Sequence, residues 1–452
     1  MTNVSIGLCI ALTLSMSLCA RAEQTFPARL AGHAVLPASS FIAPPADTPA
    51  DARISGKFTG PVRNMSPETE MGNTGAMHGR RPTGVSLPFR GQPLQGFSGY
   101  AMSRTDDGAI LMLTDNGFGS KANSPDALLM FHRMVPDFDE GRVGIEETVF
   151  LRDSDLKVPF RISYEGSDGR YLTGADFDPE SIQLVNGGVW IGDEFGPYLI
   201  RATLNGRVIE VHPTRLGETV IKGPDGPGIL ATSVAGKDWV VQRSGGFEGM
   251  AHQPGTSLLW AMLEKPLIGP DGKPEGDFLR CLAFDTETGT WTGQGFKLRL
   301  AEGATAIGDL NFIDRTRALV IERDNGEGDP SLGCEGEPAP DCFPLPAILK
   351  RVVLIDTGSI DSDGYVRRIG HIDLMAITDP EGRSRLHTDA GRDLKGLMTF
   401  PFVTIEGVMV WDDTHILVGN DNNLPFSSGR RLDAAADNEA ILLAVSELLG
   451  AR

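Results

Sequence analysis

The chain has 452 residues with 60 Asp and Glu against 41 Lys and Arg, a formal charge of −19. That balance excludes nucleic acid as a natural partner, because no basic surface would meet the phosphates. With 55 Gly, 30 Pro and few aromatic residues, the composition is that of a turn-rich all-β protein.

In chain order, the first 22 residues read as a signal peptide. The apolar run from Ile6 to Leu18 is too short for a confident membrane span, and Ala20-Arg21-Ala22 has the pattern of a cleavage site. Leu18 before Cys19 argues against a lipoprotein anchor. No later segment has the length and apolarity to cross a membrane, so the chain is expected to be exported, periplasmic or secreted. Residues 23–90 form an extended N-terminal segment with a possible first or last blade strand, wandering over the surface between 40 and 84. Residues 91–452 form the main domain.

That domain repeats one pattern five times. A short polar start opens an apolar run, a turn follows, and a second apolar run ends in acids. The copies run from Ser98-Gly99 to Asp115-Asn116, Glu180-Ser181 to Asp193-Glu194, Glu248-Gly249 to Glu264, Gly308-Asp309 to Glu322 and Asp324, and Glu406-Gly407 to Asp421. Two strands of about five or six residues and a tight turn fill each copy. Asp106-Asp107-Gly108, Asn186-Gly187-Gly188, Gln253-Pro254-Gly255-Thr256 and Trp411-Asp412-Asp413 supply the turns. Helical patterning is confined to Ser124–Met134 and Ala434–Leu449, the latter also readable as a closing strand. A four-stranded propeller blade needs about 40 to 50 residues plus loops. The long stretch from Asp324 to Phe400 leaves room for a further blade, so a six-bladed β-propeller is expected over paired β-sandwiches or a β-helix.

A hairpin returns its two ends to one edge, which gathers the acids at one mouth of the propeller channel. Glu180, Glu248, Asp309 and Glu406 are the expected metal ligands. Asp193, Glu194, Glu264, Glu322 and Asp421 would complete the sites or act as general base. Carboxylates in excess, with amide oxygens from Asn116, Asn325, Asn422 and Asn423, suit Ca²⁺; the eight His residues are scattered and do not suit zinc. Arg243, Lys265 and Arg323 would grip a phosphoryl group. Lys121, Arg430 and Arg431 also lie among the acids, and His252 reads as structural. A serine esterase would need G-x-S-x-G, which is absent; Gly96-Phe97-Ser98-Gly99 comes nearest. Cys334 and Cys342 flank a loop of turn formers and are expected to pair, while Cys281 reads as a buried free thiol.

The stretches GFSGYAM at Gly96, LTDNGFGSK at Leu113, DPESIQL at Asp178, IGDEFGPYL at Ile191, GGFEGMA at Gly245, Thr404 to Val408, GNDNNLPF at Gly419 and SGRR at Ser428 resemble the phytase-like family, described as esterase-like activity of phytase. The resemblance spans about Gly91 to Val445 and implies an exported β-propeller that hydrolyses phosphoric or other esters. The Glu-Gly strand starts also resemble, more distantly, calcium-dependent lactonases and metal-dependent propeller phosphatases. These imply a metal at the channel mouth. The expected activity is Ca²⁺-dependent hydrolysis of a small phosphorylated ester, with phytate among the substrates. A carboxylic esterase or lactonase, or a binding propeller with structural calcium, are the alternatives. An apolar rim of Phe97, Phe118, Phe195 and Phe247 would favour an uncharged ester.

Overall fold

The computed structural model describes residues 23–105, 108–386 and 396–452. The signal-peptide reading therefore lies outside the described residues, as does part of the Asp106-Asp107-Gly108 turn. Nearly all regular structure is β-strand.

Five antiparallel meanders carry the fold. In blade 1, Ile110–Leu113, Met130–Asp137 and Arg142–Phe150 pair in sequence, with an inner run bridged through Tyr100 and Met112. Blade 2 comprises Pro179–Val185, Gly188–Asp193, Tyr198–Thr203 and Val208–Pro213. Blade 3 comprises Phe247–His252, Leu258–Leu263, Phe278–Asp285 and Thr290–Arg299. Blade 4 comprises Ala306–Phe312, Arg317–Arg323, Lys350–Ile360 and Val366–Asp373, with Gln24–Phe26 added in parallel at its outer edge. Blade 5 comprises Thr404–Val410, His415–Asp421 and Asn438–Ala444, and its outer strand, Arg29–Leu36, comes from the N-terminal segment. The first helical stretch expected from sequence runs into the strand Met130–Asp137. The second is the strand Asn438–Ala444 with one helical turn, Ser446–Gly450, after it.

The ring closes with five blades among the described residues. Each neighbouring pair shares its own apolar layer. Leu111, Phe131, Ile182 and Ile200 join blades 1 and 2; Trp190, Leu199, Met250 and Leu259 join blades 2 and 3. Trp260, Phe296, Leu310 and Val353 join blades 3 and 4; Leu319, Leu354, Ile405 and Val418 join blades 4 and 5. Tyr100, Met112, Met409 and Leu417 join blade 5 back to blade 1. Among the described residues from Asp324 to Phe400, which left room for a sixth blade, stand the outer strands of blade 4, the short pair Ile377–Thr378 and Leu397–Met398, and loops. Because both faces of a blade are covered, alternate residues of one strand serve different neighbours. Leu259, Ala261 and Leu263 face blade 2, while Trp260 and Met262 face blade 4. This accounts for strands that are apolar throughout.

The glycine of the repeat serves this ring. A Cβ on Gly249 would lie 2.8 Å from the Leu310 nitrogen, one on Gly308 1.8 Å from the Ile405 carbonyl, and one on Gly407 2.6 Å from the Tyr100 ring. In blades 3, 4 and 5 the inner strand thus lies against the next without room for a side chain, whereas blade 2 carries Ser181 at this position. Asn311 ties the axis by donating to the carbonyls of Tyr100 (3.2 Å) and Val408 (2.7 Å) and accepting from Gln183 (2.8 Å).

The segment from 40 to 93 is tied down rather than loose. Buried Lys57 pairs with Asp126 at 2.9 Å, and Arg81 with Glu327 at 3.0 Å. Cys334 and Cys342 form a disulfide, with Cα atoms 4.9 Å apart. Cys281 is free and buried between blades 3 and 4.

Candidate functional site

The acids at the inner-strand starts owe their aim to a shared irregularity. Pairing of the first two strands skips Glu180 in blade 2, Glu248 in blade 3 and Glu406 in blade 5. Each is the extra residue of a β-bulge, which turns its side chain out of the normal alternation. In blade 4 the slip covers Gly308 and Asp309, so the glycine precedes the acid instead of following it. Asp309 is accordingly displaced along the strand. Its oxygens accept from the nitrogens of Leu310 (2.7 Å) and Val408 (2.9 Å) and from Asn311 (3.2 Å), which joins blades 4 and 5.

At the mouth, Asp178, Glu180 and Glu194 each offer a carboxylate oxygen within 4.8 Å of the others. Asp178 was not singled out from sequence. It stands two residues before Glu180 in the DPE triplet, and a second carboxylate so near an acid already singled out is the signal that could have found it. Next to this trio, Arg323 Nη2 lies 3.2 Å from Glu264, 3.6 Å from Glu406 and 3.7 Å from Glu248. Lys265 Nζ is 3.3 Å from Glu264. Ser98 Oγ donates to Glu406 at 3.3 Å.

Asp115, Asp178, Glu180, Glu194, Glu248, Glu264, Glu406 and Asp421 therefore share one region with two cations, Arg323 and Lys265. Burial and mutual repulsion push the protons back on. Burial first, then the charges of Asp178, Glu248, Glu406 and Glu194, hold Glu180 well above the usual carboxylate range. Glu194 is raised by burial and then by Glu264 and Asp178, Glu248 by burial and then by Glu406 and Glu264, and Asp421 by burial and then by Asp115 and Glu406. Asp178 rises to about 8, mainly through burial, and Asp115 to about 6 for the same reason. Glu406 rises to about 7, because the Arg323 charge offsets only part of its burial. Arg323 keeps its proton more firmly than usual, since its four glutamates outweigh burial.

This donor set fits a hard divalent cation. It is all oxygen, and Asp178 Oδ1 is buried without a hydrogen-bond partner, while Glu248 Oε1 and Glu264 Oε2 have only the ion pairs to Arg323 and Lys265. An ion there would satisfy such atoms and lift the repulsion.

Several residues expected at the site do other work. Glu322 pairs with Ile307, one position below Arg323, and the pleat directs its carboxylate to Arg368, which binds it through both guanidinium amino groups. Asp193 caps its own loop, accepting from the nitrogens of Asp178 and Gly196, both at 2.8 Å. Asp324 is held by Lys350 at 3.0 Å and by backbone nitrogens. Arg430 grips Glu439 at 2.6 Å and 2.7 Å. Asn116 accepts from the nitrogens of Phe118 and Gly119, and Asn422 bridges Gly96 and Ala436, so both amides hold loops. Asn325 and Asn423 are bonded to the hydroxyls of Thr305 and Thr404. His252 bonds the Thr256 carbonyl within its own turn. Arg243 and Lys265 stand at the rim, the first largely exposed.

The match to a family model decides the relationship: residues 92–424 fit the phytase-like family, described as esterase-like activity of phytase. The chain belongs to that family. It is thereby a member of a hydrolase family, on the all-β, propeller-like fold described above. No curated protein matches the phytase-like chain. Among solved structures it is similar to an arabinanase from Bacillus subtilis, at 11% identity and a TM-score of 0.35 over 78% of this chain and 94% of the other. It is likewise similar to a glycosyl hydrolase from Bacteroides ovatus, at 11% identity and a TM-score of 0.38 over 89% and 93%. A protein of unknown function from Dyadobacter fermentans gives 11% and 0.37 over 92% and 99%. Among the described residues no helix is long and apolar enough to cross a membrane.

Proposed function

We propose that the protein is an exported, calcium-dependent hydrolase of phosphoric esters that works at the acidic mouth. The observation that carries this reading is the trio Asp178, Glu180 and Glu194, with oxygens within 4.8 Å of one another, beside Arg323 and Lys265. Asp178, Glu180 and Glu194 would hold Ca²⁺, with Glu248 next to them. The ion supplies charge neutralisation to a phosphoryl oxygen. Arg323 and Lys265 orient the other phosphoryl oxygens, the first as a fork and the second as a point charge. Glu264, placed between these two cations, takes one proton of the water that attacks phosphorus, while the bond to the leaving oxygen breaks and that oxygen takes a proton from solvent water.

One observation favours phosphate over a carboxylic ester. Phe97, Phe118, Phe195 and Phe247 are all buried, at 0%, 1%, 7% and 0% exposure, and none lines an apolar rim. The basic groups stay at the mouth.

The test is turnover of an aryl phosphate, phytate and an aryl acetate by the purified mature protein, with calcium and with chelator. Phosphate release that chelation stops, and that Asp178→Asn and Glu248→Gln remove while the variants stay folded, is the expected result. Cleavage of the acetate alone would replace this reading with the esterase. No turnover, with a calcium-dependent melting temperature, would replace it with a binding propeller.

A further inference from the structure

A second constellation stands at the rim beside the acidic mouth. The connection between blades 2 and 3, residues 214–246, folds back over the end of blade 2. Its Gly223 donates to the Gly196 carbonyl at 2.9 Å, and a Cβ there would lie 2.5 Å from the Phe195 carbonyl. This close approach sets Asp225 directly above the Glu194-Phe195-Gly196 turn.

Two cations from separate parts of the chain reach Asp225, Arg243 at its carboxylate and Lys121 at its backbone carbonyl, and a third, Lys265, holds the backbone of Arg243 and Ser244. Arg243 reaches both of its carboxylate oxygens through one nitrogen, Nη1. Lys121, from the loop after the second strand of blade 1, donates to the Asp225 carbonyl at 3.1 Å. Lys265, from the end of the second strand of blade 3, donates to the carbonyls of Arg243 (3.0 Å) and Ser244. The same lysines border the mouth: Lys265 Nζ lies 3.3 Å from Glu264, and Lys121 Nζ lies 5.9 Å from the centre of the Phe195 ring, next to Glu194 in the chain. The Asp225 side chain is 16% exposed, whereas that of Arg243 is 67% exposed.

We propose that Lys121, Arg243 and Lys265 form a seat for a dianionic phosphoryl group, and that Asp225 fills this seat as a built-in competitor when no substrate is bound. A guanidinium engaged through a single nitrogen keeps the rest of its fork for an anion with several oxygens, and phosphate matches that fork better than one carboxylate. An ion pair with one partner this exposed is weak and readily exchanged. The identity of the anion rests on the phosphoester reading above; the competition by Asp225 does not.

The experiment is calorimetric titration of inorganic phosphate into the full mature protein, with sulfate as a second dianion and acetate as a monoanion. Asp225→Asn keeps the shape of the side chain and removes its charge, so phosphate should bind about fivefold tighter or more. Arg243→Gln should weaken binding about tenfold or more, and Lys121→Gln should weaken it in the same direction. In the Arg243→Gln background, Asp225→Asn should no longer strengthen binding. Phosphate affinity unchanged or reduced in Asp225→Asn, with the variant melting near the parent temperature, overturns the proposal, as does acetate binding as well as phosphate. Tighter phosphate binding in Asp225→Asn without hydrolysis of any phosphoester would leave the seat standing and sink the catalytic reading. Hydrolysis with no effect of Asp225→Asn would do the reverse.

Discussion

Calcium should stabilise this protein, and more so at pH 8 than at pH 5. Metal-free, the cluster relieves its repulsion by holding protons. Asp178 has an ordinary value of 3.8 and rises to about 8 in the fold through burial; Glu406 rises from 4.5 to about 7. Between those limits the folded chain binds more protons than the unfolded one, so metal-free stability is greatest at the acidic end and falls as pH rises toward 8. One extra proton costs about 1.4 kcal/mol per pH unit, or roughly 2.7 kcal/mol over two units. Calcium competes with those protons and offsets the loss. At a hundredfold excess over its dissociation constant it contributes about 2.7 kcal/mol. Unfolding entropy of about 2.1 cal/mol/K per residue, over roughly 430 residues, makes this a rise of about 3 °C in Tm at pH 8. The assay is scanning calorimetry in chelator and in calcium at pH 5, 6, 7 and 8, repeated on Glu180→Gln, which should lose most of the effect. No shift at pH 8, or a larger one at pH 5, would refute the assignment of the carboxylates to a cation.

Two further predictions address the frame around the site. Gly308→Ala forces a Cβ to within 1.8 Å of the Ile405 carbonyl, so it should cost more than about 3 kcal/mol in urea unfolding. Gly255→Ala, in a turn where no atom lies within 4 Å of the new Cβ but φ is +73°, should cost only about 1 kcal/mol; the reverse order would contradict the ring packing. Glu439→Gln strips the partner from buried contacts with Arg430 (2.6 Å) and His33 (3.0 Å) and should destabilise by about 3–5 kcal/mol. Burial opposes the charge on Glu439, yet Arg430 and His33 hold it at about 2. Its contribution is therefore present above about pH 4.5 and lost as pH falls through 2. Acid denaturation that the substitution leaves unaltered would show that this pair does not set the acid limit.

The five hairpins were legible because each is local: turn residues between two apolar runs dictate the return of the chain. That locality also located the acids at one edge, since a hairpin brings its ends together whatever surrounds it. The order of the motifs placed the chain in the phytase-like family. What a linear pattern does not carry is phase. Glu322 and Arg323 are neighbours in sequence, yet the pleat sends one to Arg368 and the other into the mouth. Bulges turn Glu180, Glu248 and Glu406 inward, and a bulge is a mismatch between two strands that neither strand announces alone. The Asp309 position differs because its glycine comes first.

Composition and repeat thus determined by themselves that the chain would be all-β, acidic at one edge and built from five similar hairpins. Ring closure was a tertiary decision. Five blades complete the circle because the inner strands of blades 3, 4 and 5 fit against the next at a glycine, the last of these contacts being Gly407 against Tyr100 of the first blade. The membership of the acidic cluster was decided in the same way, by which side chains the closed ring forces to share a dry space with Arg323.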